Sequence, residues 1–460
     1  MKEREALDLR SIQSLPVSRQ LLTLALPMIA SLFVQGLYSV VDSLYLSRLG
    51  EDALSAVSLA FILQGVVTAF ATGIATGMNA LISRMLGAKR PEEARGAVRC
   101  GFVLQLGFAA FFALVGVFGI PGYFALSTDS LQVRQLGADY LRPCMLGAVA
   151  SIAQVTLERL LQSAGKTRCT LVSQGLGALT NIVLDPLLIF GGLGLPGLGA
   201  AGAAYATLAG QAVATAAALH FNRTRNAALF SGWRTGRLSG RTMWEICRVG
   251  LPASAVGIAG SAGNYCINKL LIDFSSVSNA AFGVYTKLQS FALIPQTGLH
   301  VSLVTLLSYY IGARDPVRLR STLNWGFFYI AVWSVVCFAA FFFFPGLLLA
   351  PFRPTEQMLE VGLPCFRIIG TTYLLSGYGI VMNAMFQASG RGSYSLIGSV
   401  ARQILIRIPA AIWLAGFGRM ELIWWCWPIS EVTSDTVTLI LYRRTLKKTM
   451  PLLEGELNHQ

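Results

Sequence analysis

Apolar residues recur along the chain in long runs, separated by short polar segments. At about 1.5 Å per residue, a helix of about 20 residues crosses the roughly 30 Å hydrocarbon core of a bilayer. The pattern therefore predicts an all-α polytopic membrane protein with twelve transmembrane helices and no water-soluble domain between them. The predicted spans are 20–46, 54–83, 97–120, 136–162, 169–191, 200–221, 245–272, 282–311, 323–345, 361–388, 395–416 and 422–442.

Composition and charge agree with this pattern. Over half of the residues are apolar (54%) and only 13% are charged, which is typical of a membrane protein. Residues 1–19 are polar and carry no cleavage site with small residues, so we expect the first helix to stay in the mature protein. The alternate connections on one side carry most of the Lys and Arg residues, which predicts an inner (plasma) membrane protein with both termini in the cytoplasm. We attribute the net charge of +14 to this topology and to anionic membrane lipids, and expect no nucleic acid partner.

Short motifs repeat at a constant interval. Pro27 in LALP corresponds to Pro252 in VGLP, Gly87 in LGAKRP to Gly312 in IGARDP, and Gly165 in QSAGK to Gly390 in QASGR, each pair 225 residues apart. Six helices lie between equivalent points, so the two halves have the same orientation about an axis along the membrane normal. The predicted domains are a cytoplasmic N-terminal segment (1–19), an N-lobe (20–221), a cytoplasmic linker (222–244), a C-lobe (245–442) and a cytoplasmic tail (443–460).

Two acids lie inside predicted spans of the N-lobe, where charge is costly and marks function by default. Asp42 and Asp185 both fall a turn or two from the outer ends of their helices. The same depth is predicted for three polar neighbours: Tyr38, one turn below Asp42; Asn181, one turn before Asp185; and Thr207, which mirrors Asp185 across the turn between helices five and six.

Such a cluster favours an ion site. Burial and mutual repulsion favour the protonated form of a carboxylate, which makes it a proton carrier. Alternatively, the oxygens of Asp42, Asn181, Asp185 and Thr207 could replace the hydration shell of a hard monovalent cation such as Na⁺. The structural alternative is that Asp42 only forms a hydrogen bond near the interface. The positions 225 residues later are Ile267 and Ala410, so only the N-lobe carries these acids.

A second charged group lies in the C-lobe. Arg402 and Arg407 are in helix eleven, and Glu431 and Asp435 are in the antiparallel helix twelve. Matching depths predict two structural ion pairs, Arg407 with Glu431 and Arg402 with Asp435. Lys287, in helix eight, has no obvious partner.

Other chemistry has little support. The eight cysteines are scattered through apolar segments and the three histidines are solitary, so neither disulfides nor a metal centre of the Cys/His type is expected. Gly197, Gly199 and Gly202 spell GxGxxG in a connection between two spans, without the strand and helix of a dinucleotide site. ATP-binding and hydrolase motifs are missing. We therefore expect no cofactor apart from a coupling ion.

The sequence resembles the multidrug and toxic compound extrusion family, within the larger group that includes lipid-linked oligosaccharide flippases. The resemblance covers nearly the whole chain and rests on segments 24–50, 78–95, 160–190 and 197–211 together with their repeats in the second half. It implies a V-shaped pair of six-helix bundles that exports amphipathic, often cationic compounds in exchange for H⁺ or Na⁺.

The resemblance also implies roles for particular residues. The N-lobe ion site of the family corresponds to Asp42, Asn181, Asp185 and Thr207, and Pro27 resembles the proline where the first helix can bend. Members that bind the cation in the C-lobe have acids in helices seven and ten, where this chain offers only Asp273 and Glu360 near helix ends. The DinF-like branch is therefore favoured.

The predicted function is secondary active efflux of small organic molecules by antiport with H⁺ or Na⁺. The alternative within the same group is a lipid-linked precursor flippase, for which a cavity rich in unpaired arginines is expected. A membrane-embedded enzyme would need a cluster of catalytic groups at the headgroup layer, which the sequence does not show. Because one chain contains the whole pathway, a monomer that contacts membrane lipids is sufficient.

Overall fold

The computed structural model describes residues 14–192, 194 and 196–454. Residues 1–13 of the predicted N-terminal segment, including Lys2, Arg4 and Arg10, lie outside the described residues, as do residues 455–460 of the predicted tail. The described part is almost entirely helical, as the long apolar runs predict. Twelve membrane-length helical units follow one another along it: α1 Val17–Ser47, α2 Glu51–Gly87, α3 Pro91–Phe118, α4 Leu131–Leu146 with Ala148–Ser163, α5 Thr167–Ile189, α6 Ala200–Arg225, α7 Gly240–Phe274, α8 Ser276–Ala313, α9 Pro316–Phe343, α10 Glu356–Gly370 with Tyr373–Ala388, α11 Gly392–Ala415 and α12 Cys426–Glu454.

The remaining elements are short helices in the connections. They are Ile120–Ser127 between α3 and α4, Ala227–Phe230 and Gly232–Thr235 between α6 and α7, Pro345–Leu349 and the 3₁₀-helix Ala350–Phe352 before α10, and Met420–Ile423 before α12. The pair between α6 and α7 packs on α3, where Arg95 and Arg99 donate to the carbonyl oxygens of Ala228 and Gly236 at 3.0 and 2.9 Å. This connection covers 226–239, because α6 and α7 extend beyond the predicted spans.

Eight of the units are single helices that are long and apolar enough to span a membrane. Two more, α4 and α10, meet that condition only as bent pairs, each with a 45° bend. The last two, α6 and α12, have the length of a span but a more polar composition. The described helices are thus consistent with the predicted count of twelve, while the bends in α4 and α10 were not predicted.

The two bends occupy equivalent positions in the repeat. The break in α4 is at Gly147, and the break in α10 is at Thr371 and Thr372, about 225 residues later. Each first segment contains a proline, Pro143 or Pro364, which removes a backbone donor from the helix.

Contacts between the halves follow an approximate two-fold symmetry. A Cβ atom built on Gly73 would collide with Ser254, and one built on Gly298 would collide with Ile29; adding 225 to the first pair gives the second pair exchanged. Similarly, Gly87 of α2 packs on the Tyr309 carbonyl oxygen, and Gly312 of α8 packs on that of Arg84. The sequence repeat is therefore also a repeat in three dimensions.

Apolar packing joins the halves at one end only. Two buried clusters remain within one half each, one built from residues between Leu46 and Ala204 and the other from residues between Ile267 and Trp427. The other two cross between halves: Leu21 and Leu24 of α1 join a cluster formed mainly by α8, α9 and α10, and Ile246 of α7 joins one formed by the first half. The molecule is closed at the end that contains Arg84 and opens toward the other end.

Polar contacts reinforce the closed end. Asn79 of α2 donates to the Thr305 hydroxyl of α8 at 3.0 Å, and Arg84 forms a 2.9 Å ion pair with Glu245 of α7. Tyr310 of α8 donates to the side chain of Gln20 of α1. All three contacts join the first half of the chain to the second.

Candidate functional site: a polar cavity in the first half

A polar stripe runs along one face of α5. Gln174, Asn181 and Asp185 follow one another at intervals of seven and four residues, with Ala178 between the first two, so they share a face of the helix. This face points to α1, α4 and α6, the helices that enclose the cavity described below. Asn181 and Asp185 are buried, and Gln174 is half-buried.

Asn181 links Asp185 to α6. Its Nδ2 atom donates to Asp185 Oδ1 at 3.2 Å and lies 3.4 Å from the Thr207 hydroxyl. The close approach of the two helices requires glycine, because a Cβ atom built on Gly177 or Gly210 would lie 2.8 or 2.7 Å from the carbonyl oxygen of the other. The predicted grouping of Asn181, Asp185 and Thr207 is present.

Asp42 completes the group from α1. Its side chain is buried at 6% exposure and lines the cavity together with Tyr38, one turn earlier. Asp185 is fully buried next to the cavity wall and close enough to Asp42 for the two carboxylates to interact electrostatically. Neither acid points to lipid.

The cavity has a volume of about 270 Å³. Its polar lining comes from four helices: Gln35, Tyr38 and Asp42 of α1, Gln64 of α2, Glu158 of α4 and Asn181 of α5, with Thr207 and Gln211 from α6. A volume close to the lower limit for small-molecule sites can hold an ion with several waters or part of an organic molecule.

Several oxygens around this cavity lack a hydrogen-bond donor. They are Asp42 Oδ1, Asn181 Oδ1, Asp185 Oδ2 and Gln174 Oε1, each with no partner among the described residues. Buried acceptors are nearly always satisfied in proteins. A site with this excess of acceptors attracts protons, cations or donor groups of a ligand, and excludes anions.

These oxygens suit either of the predicted ions. Carboxylate, amide and hydroxyl oxygens are suitable ligands for a hard cation such as Na⁺, while the two neighbouring acids favour the binding of a proton. Among the described residues, no cluster of three His, Cys, Asp or Glu side chains could hold a metal ion, and the eight cysteines are free. His220 and His300 lie within the described residues, whereas His459 lies outside them.

Glu158 is a cavity residue that the sequence reasoning missed. It lies five residues before the end of α4, next to Arg159, where the pattern suggests an interfacial pair of opposite charges. The structure instead directs the Glu158 side chain into the cavity, with 3% exposure. Gln154, one turn earlier on the same face, is the signal that could have indicated an inward-facing polar stripe.

The charged cluster of the second half differs from the predicted pairing. Arg402 and Arg407 both pair with Glu431, at 3.4 and 3.6 Å, and Asp435 makes no ion pair within 4.0 Å among the described residues. The reason is local: α11 is π-helical over Ala401–Ile406. Residues five apart are about 1.4 turns apart in an α-helix but close to one turn apart in a π-helix, so both arginines reach the same carboxylate.

Two other singled-out residues have clear positions. Pro27 lies within α1, which continues through it as one helix from Val17 to Ser47. Lys287 is exposed on α8, one turn before Phe291, and Phe291 and Ile294 face Gly36 of α1. Lys287 therefore lies on the face of α8 that is directed toward the first half of the chain, just beyond the last contact between them.

Comparison with known proteins identifies the family. The MatE family model matches the chain twice, over residues 27–187 and 252–413, with the two matches starting 225 residues apart. Together they cover more than half of the chain, so this protein belongs to the MatE family. Members of this family are membrane transporters, and the prediction of a transporter rather than an enzyme is confirmed.

Curated relatives match nearly the whole chain. An FAD transporter from Shewanella oneidensis is 27% identical over 88% of this chain and 89% of its own length. The multidrug export protein MepA from Staphylococcus aureus is 23% identical over 96% and 97%, and a probable multidrug resistance protein NorM from Thermotoga maritima is 23% identical over 94% and 91%.

Solved structures confirm the fold. A multidrug resistance MATE family transporter of the MOP superfamily, solved in an outward-facing conformation, superposes with a TM-score of 0.89 at 22% identity, covering 95% of this chain and 98% of that one. A MOP superfamily transporter from Pyrococcus furiosus gives 0.86 at 22%, covering 94% and 96%. The prediction of an all-α, multi-pass membrane protein of the MATE type is confirmed.

Proposed function

We propose that this protein exports small organic molecules by antiport with H⁺ or Na⁺, and that the cation binds at Asp42 and Asp185 with Asn181 and Thr207. The observation that carries the proposal is the set of unsatisfied buried oxygens around the cavity, in a chain that belongs to a transporter family. Tyr38 lines the same site, and no cofactor other than the coupling ion takes part.

The proposed cycle alternates between two open states. The model is closed at the Arg84 end, which the charge pattern assigns to the cytoplasm, and thus corresponds to an outward-open state. A cation that enters from outside satisfies the oxygens of Asp42 and Asp185. Helix α1 connects this site to the second half because it packs on both α5 and α8, and bending near Pro27 would transmit occupancy to the substrate pathway.

The remaining parts of the proposal follow from topology. The protein lies in the inner (plasma) membrane with both termini in the cytoplasm, contacts lipid along its outer surface and works as a monomer. The DinF-like branch is favoured because the acids are in the first half of the chain. The arrangement of Arg402, Arg407 and Glu431 disfavours a lipid-linked precursor flippase, because these arginines are already paired with a carboxylate.

One observation favours a second substrate class. The relative from Shewanella oneidensis is an FAD transporter, and FAD combines a flat ring system with a diphosphate. Lys287 places a positive charge on the face of α8 directed toward α1, where an anionic group of a substrate could pair with it. An aromatic substrate with an anionic tail is therefore the alternative to a cationic drug.

The test is transport by purified protein in liposomes. We expect a proton gradient or a sodium gradient to drive movement of ethidium or FAD by the wild type, and the effective gradient identifies the ion. Asp42→Asn should abolish gradient-driven transport because the neutral amide cannot exchange a proton or balance a cation. The matched control is Asp139→Asn, which removes an exposed acid of α4 outside the cavity and should transport like the wild type. Equal activity of the two variants would reject the ion site.

A further inference from the structure

Glu158 lies in the same cavity as the proposed cation site but at its other end. It belongs to the second segment of α4 and lies level with Gln174 of α5, whose Nε2 atom donates to Glu158 Oε2 at 2.8 Å. Gln174 and Asp185 are eleven residues apart on α5, about 16 Å along the helix axis. The polar stripe of α5 therefore connects Glu158 at one end of the cavity with Asp42 and Asp185 at the other.

Only neutral donors surround the Glu158 carboxyl group. Oε1 accepts from Gln154 Nε2 at 3.0 Å and from the Ser173 hydroxyl at 3.2 Å, in addition to the Gln174 bond on Oε2. No ion pair to Glu158 within 4.0 Å is present among the described residues. The neighbouring Arg159 instead donates to Gln162 Oε1 at 3.0 Å.

Charged and titratable groups around Glu158 lie at longer range. Arg159 is on its own segment, and His300 of α8 lies near Arg159. From α1, Tyr38 and Asp42 face the same cavity, as does the neighbourhood of Asp185 from α5. The nearest partner of Lys166, in the connection to α5, is the Arg225 carbonyl oxygen. None of these groups neutralises Glu158 by direct contact.

Burial without a counter-charge favours the neutral acid. An ionised carboxylate removed from water and left without a cation costs several kcal/mol, so such a group binds a proton instead. The hydroxyl of the protonated acid still has an acceptor in Ser173, which can accept as well as donate. When water enters the cavity, the same proton can leave to it, because the cavity wall includes the carboxyl group.

We propose that Glu158 is a second proton-binding site of this cavity, separate from the cation site at Asp42 and Asp185. This inference rests on the proposed antiport function. The proton passes from cavity water to a carboxylate oxygen of Glu158 and returns to water when the conformation changes, with no other bond made or broken. The polar stripe of α5 then joins two exchange sites, one near each end of the cavity.

Infrared spectroscopy tests the proposal independently of transport. Protonated carboxyl groups absorb at the carbonyl stretch, apart from the amide bands, so a pH titration of reconstituted protein counts buried acids directly. We expect Glu158→Gln to lose one titrating carbonyl band that Asp42→Asn retains, and Glu158→Asp to shift that band without removing it. The shift in the aspartate variant keeps the test usable if the glutamine variant does not fold.

Proton release on substrate binding provides the second readout. In weakly buffered solution, we expect the wild type to release up to two protons per substrate bound, and Glu158→Gln to release one fewer while it still binds substrate. An unchanged carbonyl spectrum and unchanged proton release in Glu158→Gln would overturn the proposal and leave Glu158 as a structural hydrogen-bond acceptor. Failure of the antiport proposal has a different signature, because it appears as unaltered transport by Asp42→Asn.

Discussion

Asn181 holds Asp185 in position through its side-chain amide. The Asn181 Nδ2 atom is the printed hydrogen-bond donor to Asp185, whose other oxygen has no partner among the described residues. Asn181 also offers its own free carbonyl oxygen to the cavity. One residue thus fixes the geometry of a carboxylate and adds a possible ligand for the coupling cation.

Replacing Asn181 by alanine should therefore weaken cation binding. A hydrogen bond to a charged group contributes about 1.5–3 kcal/mol, so we expect the cation concentration for half-maximal transport to rise by roughly 10- to 100-fold. The measurement is transport rate against H⁺ or Na⁺ concentration in liposomes. Thr180→Ala is the matched control, because the Thr180 hydroxyl donates to the Leu176 carbonyl of its own helix. An Asn181→Ala protein with wild-type cation dependence would contradict the role assigned to this amide.

At the residue scale, the sequence predicted the cavity better where an acid interrupts a long apolar run. Asp42 and Asp185 are conspicuous for that reason, and helical spacing adds Asn181. Glu158 escaped because it lies near a helix end beside Arg159, where a charged residue is inexpensive in a membrane protein. Which way such a side chain points depends on the bend of α4 and on its partners from α5, and neither is visible in a hydropathy pattern.

At the scale of helices, the sequence predicted lengths and order but not departures from regular geometry. Hydropathy responds to length and polarity, whereas the bends in α4 and α10 and the π-helical turn in α11 depend on a few backbone hydrogen bonds. The π-helical turn changed the ion-pair prediction, because depth matching assumed a regular α-helix. The bends required no change in apolar content and so left no trace in it.

Gly77 provides a test of helix packing at the closed end. A Cβ atom at this position of α2 would collide with backbone atoms of Ile246 and Gly250 in α7. We expect Gly77→Ala to separate α2 from α7, at a cost of about 1–3 kcal/mol for overpacking. The same substitution at Gly65 of α2 meets no atom within 4 Å and should stabilise the helix slightly.

Two measurements separate these outcomes. One is the thermal unfolding midpoint in detergent, which should fall for Gly77→Ala and not for Gly65→Ala. The other is thiol labelling at Ser83→Cys, a position that is fully buried at the closed end. Labelling should be faster in the Gly77→Ala background, and equal rates in both glycine variants would show that this contact does not keep the end closed.

At the scale of the whole molecule, the approximate two-fold symmetry accounts for both the closure and its reversibility. Equivalent helices, α2 and α8, supply the glycines that let the halves approach at the closed end. The clusters within each half remain intact if these contacts separate, since they contain no residue from the other half. The ion site breaks the symmetry, because Ile267 and Ala410 stand where Asp42 and Asp185 lie in the repeat.

A covalent lock across the closed end tests whether transport requires it to open. Asn79 of α2 and Thr305 of α8 belong to different halves and are joined by a 3.0 Å hydrogen bond between buried side chains. In a background whose eight native cysteines are replaced, we expect Asn79→Cys with Thr305→Cys to form a disulfide on oxidation. Transport should then fall to background and return on reduction.

The two single cysteine variants control for the substitutions and should transport equally under oxidising and reducing conditions. The lock should leave cation binding intact when measured from the open side, because Asp42 and the unsatisfied oxygens of α5 lie in the first half of the chain. A locked protein that binds the cation but cannot transport would assign the opening of this end to the transport step rather than to ion capture. Full transport by the oxidised, cross-linked protein would mean that substrates cross without separation of α2 from α8, and alternating access between the two halves would have to be abandoned.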